Sequence, residues 1–244
     1  MNISAVGPAG SMVRVVSEFL APPPLDLAAL HAGRLARLRS TMADHGLDLC
    51  VLTNPVNLRY AADYRNFPVF QSHIPSTYLM VPVEGPLVLY GGYCGPLDTI
   101  ADNRPAHSVT SFDAGLDLAA VAVGFAADVV GFLDEVGLAA DAVVGLERTT
   151  PSGHAALSHA GLHIVDSDPV LELARSRKSS LEIEALRYSI DVAELGLAEM
   201  EAALLPGISE NRLWSILHQV NIAHDGDWID GRMLCSGPRS NPWY

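Results

Sequence analysis

Residues whose side chains could bind a ligand or take part in chemistry lie at the end of the chain, within 228–244. Arg239, Asn241 and Trp243 place a cation, an amide and a large aromatic ring at alternate positions, and they would point the same way if the segment is extended. Just before them, Ser236-Gly237-Pro238 supplies small and turn-forming residues that let a backbone approach another molecule closely. The trio suits the wall of a polar pocket, although an ordinary surface loop could carry the same residues.

The histidines and carboxylates of the sequence form no recognised catalytic or metal-binding pattern. His218 and His224 are six residues apart, so on a helix they would point to different faces and lack the ligand spacing of zinc enzymes. The sequence contains neither G-x-S-x-G nor G-x-x-x-x-G-K, the patterns of serine hydrolases and phosphate-binding loops. Six further candidates are interpreted as side chains unrelated to a metal site: Asp225, Asp227, Asp230, His154, His159 and His163. We therefore expect no catalytic residue and no metal ligand within this sequence.

The composition is typical of a globular protein with a sizeable core. Of 244 residues, 49% are hydrophobic and 18% are charged, enough for one large domain or two ordinary ones. The net charge of −13 argues against nucleic acids and anionic membranes as partners. Cys50, Cys94 and Cys235 are odd in number and widely spaced, which predicts reduced thiols rather than disulfides. No secretory signal is evident, and Asp128 interrupts the apolar run 116–133, so we expect a buried helix and a cytoplasmic protein.

Alternating helices and strands predict an α/β domain over residues 25–172, preceded by a flexible tail, 1–24. Asp26 is expected to cap the first helix, and Gly46 to end it. Asn54-Pro55 should end the first strand with a turn. Strands are predicted at 47–53, 77–82, 86–90, near Val109, at 142–146 and at 162–165, and further helices at 116–136 and after Pro151.

Residues 173–244 are predicted to begin a second domain, after a basic and polar boundary segment, 175–179. Ser179 and Glu182 form a capping box for a long helix. The apolar residues of this helix recur three or four apart along one stripe: Ile183, Leu186, Ile190, Ala193, Leu197, Met200 and Leu204. Ser209 should cap a second helix, after which the chain turns into a strand. Because two helices and a strand provide no sheet for the stripe to cover, the second domain is expected to be incomplete.

Four motifs in a fixed order resemble the creatinase, prolidase and aminopeptidase P family of pita-bread metalloenzymes. They are Asn54-Pro55-x-Asn57-Leu58-Arg59-Tyr60, Arg177-Lys178-x-x-x-Glu182-Ile183-Glu184-x-Leu186-Arg187, Pro206-Gly207-x-Ser209-Glu210 and Ser236-Gly237-Pro238-Arg239. Each motif alone is weak, whereas their joint order and spacing are specific. The resemblance implies a creatinase-type N-terminal α/β domain, with a mixed sheet flanked by helices, followed by the truncated start of a pita-bread α+β domain.

The resemblance also implies a pair of divalent metal ions, whose carboxylate and histidine ligands lie beyond the point matching Tyr244. The stretch from Leu213 onward is most similar to the subgroup of dimethylsulfoniopropionate lyases. Peptidases of the family usually carry a histidine near the position of Trp243, which speaks against Xaa-Pro peptidase activity here. Arg239, Trp243 and Arg59 are the predicted substrate-binding residues.

Two hypotheses of function follow. In the first, the chain is the N-terminal portion of a metal-dependent enzyme that acts on a small molecule or short peptide, and it is inactive as given because it binds no metal by itself. In the second, it is a non-catalytic dimerisation or binding module derived from that family. The resemblance further implies a homodimer, in which residues 67–73 could help to cover the active site of the partner. An in-frame D-x-D or D-x-G followed by G-Y-x-x-D, in the coding sequence past Tyr244, would favour the enzyme.

Overall fold

The computed structural model describes residues 19–65, 67–93, 97–107, 109–139, 141–227, 229, 231 and 233–240. The chain divides into two compact units, which we call the sheet unit and the helical unit. The sheet unit is Asp26–Ser179, and the helical unit comprises the described residues of 19–25 together with those from Ser180 onward. The sheet unit therefore extends past the predicted domain end at residue 172.

The sheet unit alternates helices and strands as the sequence predicts. Its elements are α1 (Leu27–Asp44), β1 (Leu49–Leu52), α2 (Pro55–Ala62), α3 (Pro68–His73), β2 (Tyr78–Pro82), β3 (Val88–Tyr90), β4 (Asp102–Arg104), α4 (Ser111–Ala114), a short 3-10 helix (Gly115–Asp117), α5 (Leu118–Glu135), β5 (Val143–Leu146), α6 (Pro151–His159), β6 (His163–Asp166) and α7 (Asp168–Ser176). They form a mixed six-stranded sheet in the order β4-β3-β2-β1-β5-β6. The predicted α/β fold is confirmed.

The first strand is the centre of the sheet. It pairs antiparallel with β2, where Cys50 lies opposite Val81, and parallel with β5, where Cys50 lies opposite Gly145. All four residues of β1 are buried, and its side chains alternate between two cores. Cys50 and Leu52 pack under α1, α2 and α7, whereas the other two side chains pack under α5 and α6. Helices on both faces explain why this strand is a continuous apolar run.

Local signals fix the first helix as predicted. The Asp26 side chain accepts a hydrogen bond from the backbone N–H of Ala29 at 2.9 Å, and Gly46 follows the helix with φ +69°. The prediction for Asn54-Pro55 is wrong, because these residues begin a helix. Asn54 caps α2 by accepting from the backbone N–H of Val56 at 2.9 Å, and Pro55 stands at the first helical position, where no N–H is needed.

The predicted strand near Val109 is also wrong. The edge strand is β4, which pairs parallel with β3 and consists of Asp102, Asn103 and Arg104. Its polar side chains are exposed or half-buried, and it lies at the edge of the sheet, where only one side of the strand is paired. Val109 lies outside the strands and is buried in the core under α5.

Helix α5 carries the apolar run that was predicted to be buried. Within the described residues, Ser111–Glu135 is long and apolar enough to cross a membrane by length and composition alone, a test that core helices of globular domains also pass. One face of α5 is buried in the sheet unit, including Phe125, Val129 and Phe132. This contact is the arrangement expected of a core helix.

The helical unit contains α8 (Ser180–Ala202), α9 (Glu210–Ala223) and a short 3-10 helix, Gly237–Ser240. Helices α8 and α9 pack closely, since a Cβ atom at Gly196 would lie only 2.6 Å from Cδ1 of Leu217. The Ser209 side chain caps α9 by accepting from the backbone N–H of Arg212 at 3.3 Å, as predicted. The apolar stripe predicted along α8 faces outward: Ile183, Leu186, Ile190, Leu197 and Leu204 are 42–61% exposed.

The predicted flexible tail falls mostly outside the described residues. Its described part differs from the prediction, because Phe19 and Leu20 contact α9 within the helical unit. Segment 175–179 includes the end of α7, which continues to Ser176 and packs against α1, and the boundary between the two units follows Ser179.

Candidate functional site

The segment that carries Arg239 is anchored to the start of α9. The Glu210 carboxylate accepts hydrogen bonds from the backbone N–H and the hydroxyl of Ser236, at 2.7 and 2.8 Å. The chain then enters the 3-10 helix at Gly237, whose φ of +62° favours glycine. Arg239 lies in that helix, so the extended conformation in which the three side chains would point the same way is not present at this position. Asn241 and Trp243 lie outside the described residues.

Arg59 lies on α2 beside a cluster of opposite charges. Its Nε atom is 3.5 Å from Oδ1 of Asp63, one helical turn later, and its side chain is 38% exposed. Asp63 ends α2 in the left-handed conformation, with φ +51°, and it also lies 3.7 Å from both Arg65 and His31. Arg59 and Arg65 offset the charge of Asp63, whose left-handed backbone is uncommon for a residue other than glycine. Arg59 and Arg239 belong to different units, so the structure does not establish them as one site.

A buried carboxylate, Glu147, joins the carboxyl ends of β1 and β5. Its Oε2 atom accepts hydrogen bonds from the backbone N–H groups of Thr53, at 2.6 Å, and Asn54, at 2.8 Å. Its Oε1 atom accepts from Nδ2 of Asn57, in the first turn of α2. The Thr53 hydroxyl donates to the carbonyl oxygen of Arg148 at 3.0 Å. The carboxylate therefore fixes the start of α2, the helix that carries the first family motif.

Glu147 holds its neighbours in position, and its pKa reflects both its burial and these hydrogen bonds. Burial raises the pKa of Glu147, while the hydrogen bonds from Asn54, Asn57 and Thr53 act in the opposite direction, and the nearby Asp168 raises it further. The residue is 6% exposed. The sequence analysis missed it, although an acidic residue directly after the apolar strand V-V-G-L was an available signal.

An open groove of about 510 Å³ runs along the carboxyl ends of β5 and β6. Ligands of α/β sheets commonly bind at such edges. The ionisable residues that line the groove are Glu147, Arg148, His154, Asp166 and Asp168. Several of these groups serve the fold: Asp166 accepts from the backbone N–H of Asp168 at 2.9 Å, and Arg148 donates to the carbonyl oxygen of Ser72 at 2.8 Å.

No group of three or more histidine, cysteine or acidic side chains that could hold a metal ion is present within the described residues. His218 packs edge to face against Trp214, with ring centroids 5.3 Å apart. His224 instead contacts Leu20 of the same unit. The two histidines thus have separate environments, as their spacing predicts. This part of the chain does not fit the metal pair that the family resemblance implies.

An aromatic surface on the sheet unit is formed by Phe67, Val69, Phe70 and Phe112. Three of the four are more than half exposed, and the rings of Phe70 and Phe112 meet edge to face at 5.3 Å. Gln71 holds this part of α3 in place, because its buried Nε2 atom donates to carbonyl oxygens at 2.8 and 2.7 Å. Clustered exposed apolar side chains on a fixed scaffold are typical of interaction surfaces.

Comparison with known proteins identifies the family and supports the fold. Residues 34–177 match the Creatinase/Prolidase N-terminal domain family. Among curated proteins, the chain is 33% identical over 235 residues to dimethylsulfoniopropionate lyase DddP of Roseobacter denitrificans, covering 90% of this chain and 51% of that protein. It is 29% identical over 229 residues to DddP of Roseovarius nubinhibens, with the same coverage. The chain thus spans about half the length of the curated relatives that it matches.

Solved structures show the same fold at lower identity. An Xaa-Pro dipeptidase from Bacillus anthracis aligns with a TM-score of 0.55 at 18% identity, covering 79% of this chain and 49% of that one. A dipeptidase from Pyrococcus horikoshii OT3 aligns with a TM-score of 0.56 at 18% identity, covering 79% of this chain and 51% of that one. At this identity the likeness establishes the fold and not the activity. Since the domain family matches more than half of the sequence, the chain belongs to the creatinase/prolidase family.

Proposed function

We propose that the chain is the N-terminal portion of a divalent-metal-dependent enzyme of the dimethylsulfoniopropionate-lyase-like subgroup. The observation that carries this proposal is the 33% identity to DddP over 235 residues, which extends well past residues 34–177 into the helical unit. Residues outside this chain supply the metal ligands, because the described residues contain no suitable cluster. The residues of this chain position and enclose the substrate.

The outward stripe of α8 supports a continuation of the protein over this helix. Leu186, Ile190 and Leu197 are 47%, 55% and 58% exposed. Full burial of each would contribute roughly 1.5–3 kcal/mol, so an uncovered stripe forgoes much of this stabilisation. A sheet supplied by the remaining half of the enzyme would bury the stripe and complete the second domain.

We assign the aromatic surface to the interface of a homodimer of this enzyme. A second copy is the partner that we assign to it, with residues 67–73 covering the substrate site of that copy. Because Gln71 holds α3 in place, residues 67–73 would cover that substrate site in a fixed position. The charge of −13 disfavours nucleic acid and anionic membranes as alternative partners.

A chimera tests the proposed function. Residues 1–244 are joined to the C-terminal half of DddP from Roseobacter denitrificans, and the purified protein is measured for bound metal and for consumption of dimethylsulfoniopropionate. We expect about two divalent ions per chimera, with dimethylsulfoniopropionate consumed faster than Xaa-Pro dipeptides, whereas residues 1–244 alone retain no metal after dialysis. Stoichiometric manganese, iron, cobalt or zinc on residues 1–244 alone would contradict the assignment of the ligands. A folded, metal-loaded chimera without activity on either substrate would contradict the proposed enzyme.

A non-catalytic binding module is the second candidate, and the exposed aromatic surface favours it. The sheet unit has its own two cores and presents this surface without any contribution from a catalytic half. Phe70→Ser and Phe112→Ser separate the two candidates. In a binding module, these changes abolish self-association of residues 1–244 in light scattering, whereas in the proposed enzyme they also lower the activity of the chimera.

Trp243 is predicted to bind the cationic end of the substrate. A tryptophan face attracts a desolvated cation by roughly 0.5–2 kcal/mol, and tryptophan cannot transfer the proton that a histidine could. In the chimera, Trp243→Ala is therefore expected to raise KM for dimethylsulfoniopropionate by about 2- to 30-fold, while Arg239→Ala weakens recognition of the carboxylate.

Steady-state kinetics on sulfonium and Xaa-Pro substrates check this expectation for Trp243→Ala and Trp243→His. Trp214→Ala is the matched control, because that ring packs against His218 on α9. If both Trp243 variants keep the parent rate and substrate preference, Trp243 has only a structural role.

A further inference from the structure

His224 joins the start and the end of the helical unit. It follows the last turn of α9 and is 6% exposed. Its Nδ1 atom lies 2.7 Å from the carbonyl oxygen of Val220, and its Nε2 atom lies 3.0 Å from the backbone nitrogen of Leu20. The ring of Phe19 stacks on the imidazole, with centroids 4.9 Å apart and planes 10° from parallel. The side chain of His224 thus holds Leu20, which lies 204 positions earlier in the sequence.

These two contacts determine the protonation state of the imidazole. The Val220 carbonyl can only accept, so Nδ1 carries the proton and donates it. The Leu20 N–H can only donate, so Nε2 must be an unprotonated acceptor. A second proton on His224 would turn Nε2 into a donor that faces another donor, and the Leu20 hydrogen bond would be lost.

Leu20 is held from α8 as well as by His224. Tyr188 of α8 donates its hydroxyl to the carbonyl oxygen of Leu20 at 3.1 Å, so α8 holds the same residue from its other side. On α9 the preceding titratable residue, His218, is six positions earlier and packs against Trp214. The acidic groups closest in sequence or on the Tyr188 side of α8 are Glu184, Asp191, Asp225 and Asp227.

We propose that His224 is a pH-sensitive clasp that holds Phe19 and Leu20 against the end of α9. The neutral imidazole closes the clasp through the Leu20 hydrogen bond and the Phe19 stack. Protonation of the imidazole opens the clasp, because Nε2 can then no longer accept the hydrogen bond from Leu20. Opening exposes the last turn of α9, directly before the chain turns toward the segment that Glu210 anchors. This inference is independent of the proposed enzymatic function.

Nuclear magnetic resonance of isotope-labelled residues 1–244 tests the clasp. At pH 7.5, the ring nitrogen shifts of His224 should report the Nδ1–H tautomer, the one that the contacts require. Between pH 7.5 and 5.0, the protection factor of the Leu20 amide against hydrogen exchange should fall by up to about tenfold per pH unit, since one proton is bound on opening. The Nε2–H tautomer at pH 7.5, or a Leu20 protection factor that does not change with pH, would overturn the proposal.

Variants separate the clasp from a general effect of acid. His224→Gln keeps an acceptor but cannot titrate, so protection at Leu20 should no longer depend on pH. Phe19→Ala keeps His224 and removes the stack, so Leu20 should be less protected at every pH while α9 stays folded. His218→Gln is the control on the same helix and should behave like the parent. An equal loss of protection in His224→Gln and the parent on acidification would assign the effect to other groups and refute the clasp.

Discussion

Glu147→Ala is expected to lower the free energy of unfolding of the sheet unit by about 3–5 kcal/mol. The substitution removes the shared acceptor of two backbone N–H groups and the Asn57 amide. Each buried donor left without a partner costs about 1–3 kcal/mol. Urea unfolding followed by near-ultraviolet circular dichroism measures the loss, since Tyr64 and Tyr78 are buried in this unit.

Glu172→Ala is the control for this experiment. Its carboxylate is 72% exposed and pairs with Arg175 on the surface of α7, so its removal should change the free energy of unfolding by less than about 1 kcal/mol. Equal stability of the two variants would show that the Glu147 contacts do not stabilise the sheet unit.

The stabilising effect of Glu147 should also depend on pH in a defined direction. Because burial holds the pKa of Glu147 above its ordinary value, the folded state retains this proton at a pH where the unfolded chain has lost it. The free energy of unfolding of the parent, relative to Glu147→Gln, should therefore be greatest below about pH 4 and decrease as pH rises through the raised pKa. Urea titrations of both proteins across this range give the difference, and an increase with pH would contradict the sign.

Phe132→Ala is expected to destabilise the sheet unit by about 3–5 kcal/mol, through lost burial and the cavity that remains. Phe132 is fully buried, in a core that also contains side chains of β1, β2, β3 and β5. Val123, on the same helix, is 62% exposed, so Val123→Ala should cost less than about 0.5 kcal/mol. Similar losses in both variants would mean that α5 is not oriented by a core beneath it. Thermal and urea unfolding of the three proteins provide the comparison.

Several features of the chain follow from short stretches of sequence. The run L-C-V-L is apolar at every position, which is typical of a strand buried on both faces, and β1 is buried in that way. Asp26 and Ser209 predicted the helix starts that they cap, because a cap depends only on residues within one turn. The four family motifs predicted membership of the creatinase/prolidase family for the same reason, since each is a local pattern in a fixed order.

Other features were decided only by the tertiary structure. Glu147 meets Thr53 and Asn57 across 94 and 90 positions of sequence, and His224 meets Leu20 across 204. No periodicity reports such pairs, because they depend on which strands and helices become neighbours.

Strand β4 was missed because its polar residues form a strand only by pairing with β3. The 3-10 turn at Arg239, which follows the contact of Glu210 with Ser236, was likewise not evident from the sequence. The sequence by itself therefore determined the caps, the central strand and the family, since these depend on neighbours along the chain. The buried carboxylate, the histidine clasp and the edge strand depended on neighbours in space.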